Sequence, residues 1–250
     1  MKIEAVLFDL DNTLILFEEV EFFKIYTEKL YLSFMDLMTP DDFTRRLIYS
    51  TQAMVNNNGE MNNAEYFIRD FAKGAKADEQ ELGQHFANFY ENEFEQFRPI
   101  MTPLDGVREV ISTLQNMGLK LVIASNPMFP INVQITRLRW AYLDDIPFEL
   151  ITASENSTYI KPRLEYYNQI CEKIDIPPQN CMMVGNDAFN DMIASKIGMR
   201  TYLTTDSDHL SIELSRELAK GANLEMPTPD YKGPLKDLVK VIIQLNISHQ

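Results

Sequence analysis

Five short apolar runs punctuate the chain, at 3–8, 119–124, 148–152, 181–184 and 200–204. Runs of this length, bounded by small or polar residues, read as strands buried on both faces. Between the later runs the apolar positions instead return every three or four residues. In 103–117, Val107, Val110, Ile111, Leu114 and Met117 share one helical face, and Gly118 suits the helix C-terminus. In 163–174 the face carries Leu164, Tyr167, Ile170, Cys171 and Ile174, and Pro177-Pro178 stops it. A third helix is expected over 190–197, ending at Gly198, and a last one from about Leu235 with Leu238, Val239, Ile242 and Leu245. Strand alternating with helix predicts an α/β fold built on a doubly wound parallel sheet.

Residues 15–98 break that rhythm. They hold no convincing strand and about four helices: 18–38, a second from Thr39 as N-cap with Pro40 in the first turn, 64–73 closed by Gly74, and a fourth. The fourth follows Asp78-Glu79-Gln80-Glu81, a capping-box-like start, and runs to about Phe97. The expected organisation is an α/β core of residues 1–14 and 99–250, with 15–98 inserted after the first strand as an all-helical cap. Aromatic residues of the insert, among them Phe17, Phe22, Phe23, Tyr26, Tyr31 and Phe34, are expected mainly in its core, with Phe17 close enough to the first strand to touch a ligand. Residues 206–234 are polar and carry Pro227, Pro229, Gly233 and Pro234, which predicts loops.

Composition narrows the function classes. At 250 residues, 45% hydrophobic and 24% charged, the chain has room for one large domain with an insert. A formal charge of −14 argues against nucleic acid as a partner, because a polyanion is repelled by the chain as a whole. No apolar stretch is long enough to cross a bilayer, and Met1-Lys2 runs directly into strand-like sequence, so a cytoplasmic, membrane-free protein is expected, monomeric by default. Cys171 and Cys181 fall on buried positions and are expected as free thiols. His85, His209 and His249 lack metal-ligand spacing.

The chemistry gathers at the strand ends. The first strand closes in Asp9 and Asp11, two carboxylates two residues apart, which repel each other unless a cation sits between them. This predicts a magnesium-dependent carboxylate site at the carboxyl end of a buried strand. The second strand is followed by Ser125-Asn126-Pro127 and the third, past a loop, by Lys161-Pro162. The fourth is followed by Gly185-Asn186-Asp187 with Asp191. In an open parallel sheet these ends converge on one crevice where the strand order reverses. Each piece alone has a plainer reading: Ser-Asn as a turn, Lys-Pro as solvated surface, Asp187 and Asp191 as acids at a helix N-terminus.

Taken together, four segments in order resemble the haloacid dehalogenase superfamily of phosphohydrolases. They are Phe8-Asp9-Leu10-Asp11-Asn12-Thr13-Leu14, Ala124-Ser125-Asn126, Lys161-Pro162, and Val184-Gly185-Asn186-Asp187 with Asp191. The resemblance spans nearly the whole chain, and the insert is similar to that superfamily's helical cap. It implies that Asp9 is a nucleophile forming an aspartyl-phosphate, and that Asp11 protonates the leaving alkoxide and then deprotonates water. It implies magnesium held by the Asp9 carboxylate, the Asp11 carbonyl and Asp187, with Asp191 supporting the metal or orienting Lys161. Ser125, the Asn126 N–H and Lys161 would hold phosphate oxygens. The implied substrate is a small phosphorylated metabolite. Two departures stand out: Asn12 replaces a commoner glycine, and Gly-Asn-Asp stands where Gly-Asp is usual.

Other readings share the motif set. A dehalogenase of this fold expels halide, which needs neither a proton nor a metal, and a phosphomutase hands the phosphoryl group to a second hydroxyl. A non-enzymatic receiver-like module also gathers acids, a hydroxyl and a lysine at strand ends, but on a shorter chain without a helical lid.

Overall fold

The computed structural model describes residues 2–207 and 227–247. Its central element is a six-stranded, all-parallel sheet in the order β5-β4-β1-β6-β7-β8. The strands are β1 (Ala5–Phe8), β4 (Lys120–Ile123), β5 (Leu150–Ile151), β6 (Cys181–Gly185), β7 (Arg200–Thr204) and β8 (Tyr231–Gly233). Every residue of β1 is buried, which explains its unbroken apolar run. Alternation sends Val6 and Phe8 to one face and Ala5 and Leu7 to the other. On the first face Val6 and Phe8 join Val110, Ile111 and Leu114 of α5 (Val107–Asn116) and Leu238 and Ile242 of the C-terminal helix (Leu238–Ile247). On the second, Ala5 and Leu7 meet Tyr167, Ile170, Cys171 and Ile174 of α7 (Leu164–Ile174). Cys171 and Cys181 are buried free thiols there, as expected.

Order and register fix where chemistry can occur. The chain leaves β1 for β4 and β5 on one side, then returns to β6, β7 and β8 on the other. The strand order therefore reverses at β1, and a crevice opens beyond its carboxyl end. Asp9 N donates to Val184 O at 2.9 Å, so the first site residue is still held by the ladder of β6.

Immediately after β1 the chain turns on Asn12, which is fully buried at φ 53° in the left-handed region. Asparagine tolerates that conformation, which accounts for its place where glycine is common. The side chain adds a lock: Oδ1 accepts from Phe17 N at 3.0 Å and Nδ2 donates to Glu19 at 2.9 Å. The turn delivers β2 (Ile15–Leu16), which pairs antiparallel with β3 (Thr102–Pro103).

Between β2 and β3 lie α1 (Glu19–Tyr31), α2 (Pro40–Ala53), α3 (Asn63–Phe71) and α4 (Glu79–Asn92). Thr39 caps α2 and Asp78 caps α4, as their sequences suggest. Asn62 and Glu65 form a reciprocal capping box on α3. The first helix is shorter than its aromatic run implied. It stops at Tyr31, and turns closing on Phe34 O seat the fully buried Phe34 against Phe43, Phe71 and Phe86 at 4.8–5.8 Å between centroids. The four helices touch the sheet portion at defined points. Asn63 N and Ala64 N donate to Ser157 O and Ser154 O at 2.8 and 3.0 Å, and Trp140 stacks on Phe94 at 5.6 Å.

Three further differences have local causes. A helix unmarked by periodicity, α6 (Ile131–Trp140), follows β4; its inward face includes the buried polar residues Gln134 and Arg137, which break the apolar pattern. The helix expected at 190–197 is a 3-10 helix over Met192–Ile197. Of the stretch expected as loop, 208–226 lie outside the described residues; in the remainder β8 adds a three-residue strand, tied to β7 by Asp230, whose carboxylate accepts from Thr201 N and Oγ1 at 2.9 and 3.0 Å. His209 and His249 lie outside the described residues, and His85 packs beside Phe34 at 5.3 Å.

Candidate active site

Lys161 organises the crevice. Its side chain is 2% exposed, and Nζ donates to Asp9 Oδ1 at 2.8 Å and to Asp191 Oδ1 at 2.6 Å. Burial alone would strip the lysine of its proton, but the charges on Asp191 and Asp9 outweigh that and hold its pKa well above the usual value. One cation between two buried acids can neutralise only one of them. Accordingly Asp191 is pushed up to about 7 by burial, against the pull of Lys161, with Asp9 and Asp187 adding to the rise.

The backbone enforces this arrangement. A Cβ on Gly185 would stand 2.0 Å from Asp191 Oδ2, so only glycine lets the end of β6 lie against that carboxylate. Asp191 Oδ2 also accepts from Asp187 N at 3.0 Å, which closes the loop over its own acid. On the other side Asn126 Oδ1 accepts from Lys161 N at 3.3 Å, joining the loop after β4 to the lysine. Ser125 is buried behind Asn126, its carbonyl held by Thr152 Oγ1 at 2.7 Å and Tyr166 OH at 2.8 Å.

Asp11 sits differently from Asp9. Its side chain is a third exposed, yet Oδ1 is buried and ion-paired with the guanidinium of Arg137. Arg137 itself is almost wholly buried, donates to Gln134 Oε1 at 3.1 Å and lies 5.6 Å from the Phe129 ring. Burial lowers its pKa to about 10, opposed by the charge of Asp9, so it stays cationic at neutral pH. Asp9, Asp11, Asn126, Lys161, Asp187 and Asp191 all line one cavity of about 1150 Å³, whose remaining wall is largely drawn from α1, α3 and α4.

Asp187 and its neighbour Asn186 divide their roles unexpectedly. The Asp187 carboxylate folds into its own turn: Oδ1 accepts from Phe189 N and Asn190 N at 2.8 Å each, and Oδ2 from Asn190 Nδ2 at 2.9 Å. Asn186 is buried and turned toward the first strand. Thr13 Oγ1 lies 3.3 Å from both Asn186 Oδ1 and Asp9 Oδ2, so its single proton is shared between the two loops. Sequence reasoning assigned nothing to Asn186, Thr13 or Arg137. Asn and Thr after a strand are ordinary turn residues, and Arg137 lies on the helix that periodicity did not mark.

The donor set at the end of β1 has the chemistry a magnesium ion takes. Asp9, the Asp11 carbonyl, Asn186 and Asp187 offer only oxygen, which a hard cation prefers. Among the described residues no three His, Cys, Asp or Glu side chains form a cage.

Residues 3–197 match the haloacid dehalogenase-like hydrolase family, and the chain belongs to it. A haloacid dehalogenase-like hydrolase domain-containing protein 3 from Xenopus laevis is 29% identical over 99 residues, 39% of each chain. The match thus spans well under half of that relative. Solved structures share the fold at low identity. A HAD phosphatase from Thermococcus onnurineus superposes with a TM-score of 0.56 at 19% identity, over 97% of this chain and 98% of that one. The L-2-haloacid dehalogenase from Xanthobacter autotrophicus gives 0.57 at 20%, over 96% and 98%. YfnB from Bacillus subtilis, assigned as a HAD-hydrolase and bound to magnesium, gives 0.52 at 22%, over 97% and 99%. Such likeness establishes architecture, a hydrolase fold that serves phosphatases and dehalogenases alike. Among the described residues no helix is long and apolar enough to cross a membrane.

Proposed function

We propose that this hydrolase is a magnesium-dependent phosphomonoesterase that works through an aspartyl-phosphate on Asp9. The observation that carries the reading is the pairing of two unlike acids on one cavity: Asp9 clamped by buried Lys161, and Asp11 two residues on with a partner of its own. A dehalogenase needs only the first of these, because halide leaves without a proton. Asp11 therefore favours an alkoxide leaving group.

In this mechanism Lys161 and Asp191 fix the Asp9 carboxylate so that Oδ2 faces the phosphorus in line with the scissile bond. The Asp9 O–P bond forms as the P–O bond to the leaving group breaks, and Asp11, which takes up a proton from solvent on its outer oxygen as the anionic phosphate binds beside it, delivers that proton to the departing oxygen. Asp11 then takes a proton from the water that attacks phosphorus and frees Asp9. Arg137 keeps hold of Asp11 Oδ1, so that the other, exposed oxygen of the carboxyl group meets the substrate. Ser125, the Asn126 N–H and Lys161 hold the transferring phosphoryl oxygens. Magnesium, held by Asp9, the Asp11 carbonyl and the loop of Asn186 and Asp187, would supply charge neutralisation to the phosphoryl group. Helices α1–α4 act as the lid, and residues 15–98 meet the leaving group.

Two results test this reading. With magnesium the protein should release orthophosphate from p-nitrophenyl phosphate and from other phosphomonoesters, and with chelator almost none. Activity undiminished by chelator would remove the metal from the account, and accumulation of an isomeric phosphate without orthophosphate would make the protein a mutase. Asp11→Asn should lower kcat by about 10²–10⁴-fold on alkyl phosphates. The loss should be much smaller on p-nitrophenyl phosphate, whose leaving group needs no proton. Equal losses on both would contradict the acid role.

A further inference from the structure

The walls of the cavity away from Lys161 say what kind of molecule leaves. Two aromatic groups face it. Phe22, Tyr26, Tyr90 and Phe129 pack with centroids 5.7–6.4 Å apart, and Phe67 meets Phe86 at 5.3 Å. The two tyrosine hydroxyls hydrogen-bond to each other at 2.7 Å. Burial raises both their pKa values, Tyr90 to about 12, so neither offers a charge.

Apart from Lys161 at the phosphate end, the charged residues lining the cavity are all acidic, and Arg137, 5.6 Å from the Phe129 ring, is committed to Asp11. Glu19, Glu65, Glu79, Glu91 and Glu155 line the cavity, and among the described lining residues Lys161 is the sole lysine or arginine. Lys161 is committed to Asp9 and Asp191 at the phosphate end. A second anionic group on the substrate would leave water for a site with five carboxylates and no free cation, which is unfavourable by like-charge repulsion and desolvation together. An uncharged ring or branched chain would instead bury its surface against the aromatics.

We infer that the substrate is a monophosphate ester whose leaving group is bulky, apolar or aromatic, and free of any second anionic group. This rests on the phosphomonoesterase reading and narrows it, excluding bisphosphates and phosphorylated carboxylic acids as preferred substrates. Gly83, in the interior of α4, sets the room available. It lines the cavity, and only Ile68 Cγ1, at 3.8 Å, lies within 4 Å of where a Cβ would stand. A side chain added there would enter the space the leaving group occupies, on a helix that gains propensity from losing a glycine.

The test uses the full chain with magnesium and two benzyl phosphates that differ only at the para position, para-methylbenzyl phosphate and para-carboxybenzyl phosphate. Hydrolysis is followed in the parent, and binding by calorimetry in Asp9→Asn so that nothing is consumed. The methylbenzyl ester should be preferred at least about tenfold in kcat/KM and in affinity. Gly83→Leu should lower kcat/KM for the methylbenzyl ester at least about tenfold while ethyl phosphate is nearly unaffected. Equal or better use of the carboxylated ester, or equal losses on the large and small esters in Gly83→Leu, would overturn the inference and leave the phosphatase reading standing. The preference seen in binding with no ester hydrolysed would do the reverse.

Discussion

Asp9→Asn is expected to abolish turnover, by about 10⁴-fold or more, while the protein still folds. The amide keeps the size of the carboxylate and an oxygen for Lys161, yet it has no lone pair of comparable nucleophilicity to offer phosphorus. Because the ladder bond from Asp9 N to Val184 O is untouched, the strand end keeps its position. Thermal unfolding with a cooperative transition, alongside orthophosphate release indistinguishable from buffer, is the expected pair of results. Parental turnover in this variant would move the nucleophile elsewhere.

Lys161→Ala should be damaging in another way, to stability as well as rate. Its removal leaves Asp9 and Asp191 facing each other in a buried site, and breaking a buried ion pair typically costs about 3–5 kcal/mol. The loss should depend on pH in a defined direction. The bereft Asp191 has a folded-state pKa raised above that of the unfolded chain, so its contribution to stability is present at low pH and lost as pH rises through the folded value. Asp191 starts from about 7 even with the lysine in place. The variant should therefore lag the parent most in alkaline buffer and least in acid. Adding Asp191→Asn should restore part of the stability, since it removes one of the two unpaired acids, and should restore none of the activity. A stability deficit unaltered by either acidification or the second substitution would show that the lysine matters for packing alone. Chemical denaturation across the pH range reads both.

The architecture was legible wherever burial follows a simple period. The β1 run, the α5 face and the α7 face each bury nearly every apolar residue they display, so sequence and structure coincide there to within a few residues. The helix α6 escaped because it spends inward positions on Gln134 and Arg137, and α1 ended early because Phe34 is seated by turns rather than by helix. Both departures occur next to the crevice or the cavity-lining helices. A helix whose buried face carries a cation aimed at Asp11 gives up amphipathic regularity for chemistry.

The site shows the same division. The order of the four segments was enough to single out Asp9, Lys161 and Asp191, and the structure sets Lys161 in contact with each of the two acids. Side-chain direction within a turn is a different matter. Asp187 and Asn186 are neighbours in sequence, and nothing in their identities dictates which one turns toward β1. The answer lies in local hydrogen bonding: an acid placed before Phe189 N and Asn190 N caps them, which leaves Asn186 to share Thr13 with Asp9. In the same way the apolar character of 15–98 was readable as bundle core, while the part of it that faces inward as a cavity wall depends on how the helices cross.

An aspartyl-phosphate on Asp9 is a covalent species and can be trapped chemically. Rapid quenching of the enzyme during turnover with magnesium, followed by borohydride reduction and peptide mass spectrometry, converts an acyl-phosphate on aspartate to homoserine. Homoserine at residue 9, dependent on substrate and absent with chelator, is the predicted result. Homoserine at another carboxylate, or an unmodified residue 9 in a sample that displays a burst of leaving-group release, would contradict the account.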